Sequence, residues 1–248
     1  MARASGLGAN FYVNGVDLSG DVGSLQNIST PRGLQDVTGI NKSGHERIYL
    51  TRDGQITYSA FFNPAGAHAT LSPLSTADQP VTYAHRATLG APAASMVAKQ
   101  LNYDPTRDAN GAISAINVQT LANGYGLEWG LMLTAGQDTF ASADAGTGYD
   151  YGAGVGSTLF GLQAWLHVFD IDTGSATVAI QDSNDGGTDP WVNVTDAVFN
   201  AASATGSQRL QTGRTQAVKQ WLRVNVTGTF TNLDCAVMVT KNTYSVVF

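Results

Sequence analysis

The chain has 248 residues and a mass of 25.9 kDa, and 43% of the residues are hydrophobic whereas only 13% are charged. This length predicts two small domains. The shortage of charge favours a subunit that hides much of its surface against neighbours, with a charge-poor secreted β protein as the alternative. The formal net charge of −6 argues against a protein that grips nucleic acid through clustered Lys and Arg.

Cysteine content and hydropathy exclude several further classes. The single cysteine, Cys235, lies in an apolar strand-like run, so neither a disulfide framework nor a cysteine metal cluster is expected. The first residues lack the apolar run of a secretion signal, and no stretch of ~18 apolar residues predicts a membrane span. Synthesis in a cytoplasm is therefore the default expectation.

The N-terminal region predicts short strands and a long loop. Phe11 to Val13 is strand-like and ends at the turn dipeptide Asn14-Gly15. Asp17 to Lys42 is polar and rich in glycine, which indicates short strands joined by a long loop. Loops of this length usually work at an interface or a site, and a mobile surface loop is the alternative.

A β-hairpin is predicted from His45 to Phe62. Apolar and polar residues alternate in both arms, and Arg52-Asp53-Gly54 supplies a turn that tolerates positive φ angles. Asn63 and Pro64 then predict the N-cap and first residue of a short helix over residues 65–71.

Further strands complete a first domain over residues 1–134. They are predicted at Val81–Arg86, Ser95–Tyr103, Ala112–Leu121 and Tyr125–Leu133. Residues 135–158 are mostly Gly, Ala, Asp and Ser, which predicts a linker.

A second domain is predicted over residues 159–248. Its strands are expected within Leu159–Ile171, Ala176–Asp182, Trp191–Val194, Ser207–Thr212, Val218–Val226 and Asp234–Thr240. This spacing of short strands favours a jelly-roll or immunoglobulin-like β-sandwich.

Three catalytic motifs are incomplete. His45-Glu46 opens like a zinc-peptidase motif, but Tyr49 stands where the second histidine is needed. The glycines of residues 152–156 do not have dinucleotide-loop spacing. Glu128 and Asp150 each lie beside aromatic residues, but their positions give no paired geometry for a glycosidase. We therefore predict no enzyme, no catalytic residue and no cofactor.

An acidic loop is a weak candidate for a calcium site. Asp182, Asn184, Asp185 and Asp189 supply many oxygen atoms. The glycines are misplaced for an EF-hand loop and no bidentate Glu follows, so a polar hairpin loop is the favoured interpretation.

Three segments of the chain resemble the major tail tube proteins of long-tailed (siphovirus-type) bacteriophages, especially those infecting actinobacteria. They are the hairpin, the helix start NPAGAH at Asn63 to His68 and the segment NGYGLEWGLMLT at Asn123 to Thr134. The resemblance covers roughly the N-terminal half and continues into an appended β domain. It implies a mostly β fold, with an N-terminal tail-tube-type β-sandwich or barrel carrying one short helix. It also implies hexameric rings that stack into a hollow conduit for genome delivery.

The resemblance further implies a place and partners. The chain would lie in the tail of a virion and contact further copies of itself. The tape measure, tail terminator and distal tail proteins would be other partners, and DNA would pass through the lumen without specific binding. The hairpin would contribute to the tube wall together with Ala112–Leu121 and Tyr125–Leu133, and the loop Asp17–Lys42 would contact the next ring. The residues expected at subunit contacts are Arg47, Tyr49, Arg52, Asp53, Tyr58 and Glu128.

Two alternatives stay open. A carbohydrate-binding protein that recognises a host-surface glycan could use Trp165, Trp191 and Trp221, although Trp in strands more often belongs to a core. A capsid decoration protein shares the composition, but it would form discrete oligomers instead of open stacks.

Overall fold

The computed structural model describes residues 5–109, 111 and 114–246. The chain is mostly β, which confirms the predicted fold class. The first elements are β1 (Asn10–Val13), β2 (Val16–Asp17), β3 (Val22–Ser29), β4 (Arg32–Asp36), β5 (Arg47–Arg52), β6 (Gln55–Phe61), α1 (Ala67–Leu71), β7 (Gln79–Ala84), β8 (Pro92–Gln100), β9 (Asp104–Arg107) and β10 (Ser114–Ala122). The later elements are β11 (Glu128–Met132), β12 (Asp138–Phe140), β13 (Asp144–Ala145), β14 (Tyr149–Asp150), α2 (Gly152–Val155), β15 (Leu162–Ser183), β16 (Val192–Val198), β17 (Gly206–Gln211) and β18 (Trp221–Lys241).

The chain divides into two compact units that interleave along the sequence. Unit 1 comprises Met1–Gly20, Gln79–Ser95 and Trp129–Phe248, and unit 2 comprises Asp21–Asp78 and Met96–Glu128. These units differ from the predicted consecutive domains 1–134 and 159–248. Strand partners far apart in sequence define each unit, as when β1 pairs with β7 in unit 1.

Two long strands, β15 and β18, organise unit 1. They pair antiparallel from Leu162 opposite Lys241 to Ser183 opposite Trp221. The sequence predicts two short strands in each of these regions, and this prediction is wrong. Each strand continues without a break because a glycine with positive φ lies in it, Gly174 in β15 and Gly228 in β18. A Cβ at Gly174 would lie 2.1 Å from the Thr229 carbonyl oxygen, so only glycine lets the strands approach there and continue.

Residues 135–158 are part of unit 1 and do not form a linker. Three short strands in this segment, β12, β13 and β14, pair with β18. Phe140 is buried in the main core of the unit, and Tyr149 and Tyr151 pack against the same core. Small and polar residues therefore suffice for these strands, because β18 supplies the backbone partners and three aromatic side chains supply the apolar contacts.

Both faces of β15 are buried over its first seven residues, Leu162 to Val168. Ala164, Leu166 and Val168 lie in the main core, whereas Trp165 lies in a second cluster with Tyr12 and Met238. A strand buried on both faces is rich in apolar residues, and five of the seven residues of LQAWLHV are apolar.

Unit 2 is built on β6. Ile56, Tyr58 and Ala60 are buried, as the alternation predicts. The predicted hairpin between the arms of His45–Phe62 is wrong, because β3 and β10 occupy the two edges of β6. β5 pairs with β4 instead, in a separate two-stranded sheet.

Several element boundaries differ from the predictions. β10 begins at Ser114, and Ala112 and Ile113 of the predicted strand lie outside the described residues. α1 begins at Ala67, two residues later than predicted. The carboxylate of Asp21 accepts a hydrogen bond of 2.8 Å from the Ala67 N–H, so a residue distant in sequence satisfies the helix start. Among the described residues, no helix has the length and apolar character needed to cross a membrane.

Candidate assembly surface

Two strands of unit 2 form a solvent-exposed arm. We define the arm as β4, β5 and the connecting residues 37–46. Leu34 lies opposite Tyr49, and Asp36 lies opposite Arg47. Every residue of both strands is exposed except Arg52, which is half-buried at the base. The arm is therefore held mainly by its own backbone ladder.

The arm carries apolar side chains on this exposed ladder. Tyr49 is 70% exposed, and Ile40 in the connection is fully exposed. The exposed apolar residues of the arm are Leu34, Val37, Ile40, Ile48, Tyr49 and Leu50. An isolated two-stranded hairpin is marginally stable in water, and a cluster of exposed apolar side chains marks an interaction surface. A partner surface would stabilise the arm.

Local hydrogen bonds shape the end of the arm. The Asp36 carboxylate accepts a hydrogen bond of 2.9 Å from the Thr38 N–H, and His45 Nδ1 lies 2.8 Å from Asp36 Oδ2. Hydrogen bonds from the Thr38 hydroxyl and N–H lower the pKa of Asp36. His45, the first residue of the incomplete zinc-peptidase motif, thus contacts a carboxylate of the neighbouring strand.

An ion pair lies at the base of the arm. Arg52 Nη1 is 2.7 Å from Glu128 Oε1, and the two side chains are 18% and 12% exposed. Both residues are predicted at a subunit contact, whereas the structure pairs them with each other inside unit 2. The ion pair therefore fixes the point at which β5 leaves the unit.

The other expected contact residues separate into two groups. Arg47, Tyr49 and Asp53 are exposed on or beside the arm. Tyr58 is fully buried, so its expected place at a subunit contact is wrong. The alternation of β6 directs this ring into the core of unit 2.

The sequence does not predict most of the apolar surface of the arm. Ile48 and Leu50 are expected on the buried face of a hairpin, and Leu34, Val37 and Ile40 are expected in a polar loop. Isolated apolar residues in a polar stretch were the available signal. That signal becomes informative only once β5 is known to pair with β4.

The carboxylates of the acidic loop in unit 1 bind backbone N–H groups of the same loop and a lysine. Asp185 Oδ1 accepts hydrogen bonds of 2.9 Å from the N–H groups of Gly187 and Asp189. Asp189 Oδ2 lies 2.8 Å from Lys219 Nζ. Among the described residues, no group of three or more His, Cys, Asp or Glu side chains has an arrangement that could hold a metal ion. This geometry fits the polar hairpin interpretation.

The three tryptophans of the carbohydrate hypothesis have different environments. Trp165 is fully buried, so its assignment to a sugar-binding surface is wrong. Trp191 and Trp221 are partly exposed in unit 1.

No protein-family model and no curated protein matches the sequence. Among solved structures, the chain is similar to one from the tail of an empty gene transfer agent particle refined with C6 symmetry. The two are 16% identical over 52% of this chain and 98% of that chain, with a TM-score of 0.35. The chain is also similar to the Dit protein of phage SPP1, which is described as a paradigm of the hub adsorption apparatus in phages that infect Gram-positive bacteria. These two are 11% identical over 94% of this chain and 99% of that chain, with a TM-score of 0.34. A chain of the activated phage p2 baseplate is 8% identical over 95% of this chain and 99% of that chain, with a TM-score of 0.35.

Proposed function

We propose that this chain is a structural protein of a bacteriophage tail, and specifically a tail tube subunit. Copies of the chain form rings, six subunits to a ring, and the rings stack into a hollow conduit for genome delivery. The observation that carries the proposal is the arm, a two-stranded ladder with six exposed apolar side chains. An arm of this kind needs a second surface, and in a self-assembling stack the neighbouring ring supplies it.

The energetics favour an arm that acts together with other contacts. Burying a half-exposed Leu, Ile or Tyr side chain contributes about 1 kcal/mol, so the apolar side chains of the arm contribute about 6 kcal/mol in total. Association costs about 4 to 15 kcal/mol in lost translational and rotational freedom. The arm can therefore direct assembly, but ring contacts must supply the remainder.

The edge strand β3 is suited to a ring contact. It pairs with β6 along one edge, and its other edge has no paired strand among the described residues. Register irregularities between Val22 and Ser24 and between Leu25 and Asn27 interrupt this ladder. Bulges of this kind restrict which strands can pair with an edge. In our proposal, a matching strand of the neighbouring subunit pairs with β3, and this contact closes the ring.

The acidic character of the chain suits a conduit for DNA. With a net charge of −6, the chain presents few cations to phosphate groups, so DNA slides through without specific binding. In the assembled virion the chain lies in the tail, where the tape measure, tail terminator and distal tail proteins are its further partners.

Negative-stain electron microscopy of the purified chain tests the proposal. Hollow tubes or stacked rings are expected. The double variant Leu34→Asp, Tyr49→Asp places two carboxylates at directly opposed positions of the arm, where each side chain is exposed and the fold of the subunit should be unaffected. It should give single particles or isolated rings with an unchanged circular dichroism spectrum. Leu159→Asp, at an exposed apolar position of unit 1, is the matched control and should still form tubes.

Three outcomes would contradict parts of the proposal. Single particles of the unaltered chain at every concentration would exclude a self-assembling tube subunit. Closed oligomers of fixed size would favour the capsid decoration hypothesis. Normal tubes from the double variant would retain the tube but exclude the arm as its stacking contact.

A further inference from the structure

A row of polar side chains crosses three paired strands of unit 1. Gln181 of β15 lies opposite Asn193 of β16 and opposite Arg223 of β18. Arg223 Nε donates a hydrogen bond of 2.9 Å to Gln181 Oε1, and Gln181 Nε2 donates one of 3.1 Å to Asn193 Oδ1. Asn193 is exposed, and its amide nitrogen has no acceptor among the described residues. The row thus ends in an amide N–H₂ group that is available to a ligand.

The indole of Trp191 lies over this row. The guanidinium carbon of Arg223 is 4.5 Å from the ring centroid, so one face of the indole is covered by a cation. A Cβ at Gly148 would lie 2.9 Å from Cη2 and Cζ2 of Trp191, so the benzo edge lies against a position that only glycine fits. Trp191 remains partly exposed. These contacts involve one ring face and the benzo edge of Trp191.

A second indole borders the same patch. A Cβ at Gly148 would lie 3.6 Å from Cε3 of Trp221, and a Cβ at Gly186 would lie 2.7 Å from the same ring. Asp150 lies opposite Trp221 in the pairing of β14 with β18, and its carboxylate is exposed. Asp150 Oδ1 accepts a hydrogen bond of 2.7 Å from Gln220 Nε2. The patch therefore combines two aromatic rings, an amide donor and a carboxylate acceptor.

We propose that this patch, formed by Trp191, Trp221, Asn193 and Asp150, is a binding site for a neutral oligosaccharide. The C–H face of a pyranose ring is flat and weakly apolar, and in this proposal it packs against the ring face of Trp191 opposite Arg223. Sugar hydroxyls accept from the Asn193 amide and donate to the Asp150 carboxylate, which gives the directional contacts that fix a ligand. The site is independent of the tube proposal.

The charges around the patch select against acidic sugars. The Arg223 guanidinium stacks on Trp191, and its Nε donates to Gln181. Asp144 lies close enough to Arg223 to interact with its charge, and Asp150 is exposed. These carboxylates would repel a uronic or sialic acid, which identifies the ligand as uncharged.

A printed array of neutral, amino-sugar and acidic oligosaccharides, probed with the intact chain, tests the site. Binding to neutral glycans is expected, and the bound glycan with the strongest signal is then titrated by tryptophan fluorescence. Trp191→Ala should weaken binding about tenfold or more, because a stacking contact is lost. Asn193→Ala should weaken glycan binding several-fold. Because Asn193 is exposed, this variant should fold normally and still tests the site if Trp191→Ala fails to fold. Trp129→Ala is the matched control, since Trp129 is 50% exposed in unit 1 and contributes nothing to the patch.

A blank array would overturn the proposal, as would binding confined to acidic glycans. Unchanged affinity of Trp191→Ala and Asn193→Ala would also overturn it, even if some glycan bound. Assembly provides a separate readout. Tubes with a blank array would refute the sugar site alone, whereas glycan binding without tubes would refute the tube proposal alone.

Discussion

Acidification should destabilise unit 1 through His167. This side chain is fully buried, and its ring lies beside those of Tyr12 and Phe169. The Gly15 N–H donates to His167 Nδ1 at 3.2 Å, so the ring proton is on Nε2, which lies 2.9 Å from Thr82 Oγ1. A second proton on Nδ1 would face the Gly15 N–H, and no described carboxylate lies within ion-pair distance of the ring. The folded protein therefore holds this histidine neutral.

The size of the effect follows from the pKa. Burial lowers the pKa of His167 from 6.5 to about 3. The unfolded chain takes up the proton as the pH falls through 6.5, whereas the folded chain does so only near pH 3. The contribution of neutral His167 to the free energy of unfolding is therefore fully present above pH 6.5, and it is lost as the pH falls from 6.5 to 3. At about 1.4 kcal/mol for each pKa unit, the loss approaches roughly 4 to 5 kcal/mol.

Urea unfolding at a series of pH values measures this loss. The chain with His167 and its His167→Gln variant are compared in the Leu34→Asp, Tyr49→Asp background, so that assembly does not contribute. Glutamine keeps one donor and one acceptor but does not titrate. The free energy of unfolding should fall more steeply with decreasing pH for the chain with His167 than for the glutamine variant. Between pH 6.5 and 3, the value for the chain with His167 minus the value for the variant should therefore decrease by about 4 kcal/mol. Parallel curves would refute the assignment of the buried neutral state.

Two further predictions concern other buried groups. Cys235 is fully buried and burial raises the pKa of its thiol, so a thiol reagent such as Ellman's reagent should react with the native chain only as fast as the chain unfolds; rapid stoichiometric reaction of folded protein would contradict its burial. Arg52→Glu should destabilise unit 2 by about 1 to 3 kcal/mol in urea unfolding, because two carboxylates then meet at a partly buried position. The exchanged pair Arg52→Glu, Glu128→Arg should recover part of this loss, and equal stability of the single and double variants would show that the pair does not couple.

Local signals in the sequence predicted the character of the elements but not their partners. Alternation along β6 correctly assigned which side chains are buried. It could not reveal that β5 leaves β6 and pairs with β4, because backbone pairing depends on which edges are already occupied. Ile48 and Leu50 were therefore assigned to a buried face when they lie at the surface.

Glycine was the other source of error. The sequence around Gly174, with Asp172, Thr173 and Ser175, has the composition of a turn, yet it lies within the long strand β15. Only the close approach of the Thr229 carbonyl explains why glycine is needed there. The same limitation applies to the proposed sugar site, where Gly148 matters because two indoles distant in sequence meet it.

The pairing of β18 has a consequence for the order of events during synthesis. β18 is the backbone partner of β11, β12, β13 and β14 as well as β15, and all five precede it in the chain. While the ribosome is still translating toward Trp221, these strands are already made and have open edges. The central ladder of unit 1 must therefore form late, after a period in which unpaired strands are exposed to other nascent chains. Slow elongation before Trp221 would lengthen that period and should lower the yield of soluble subunit.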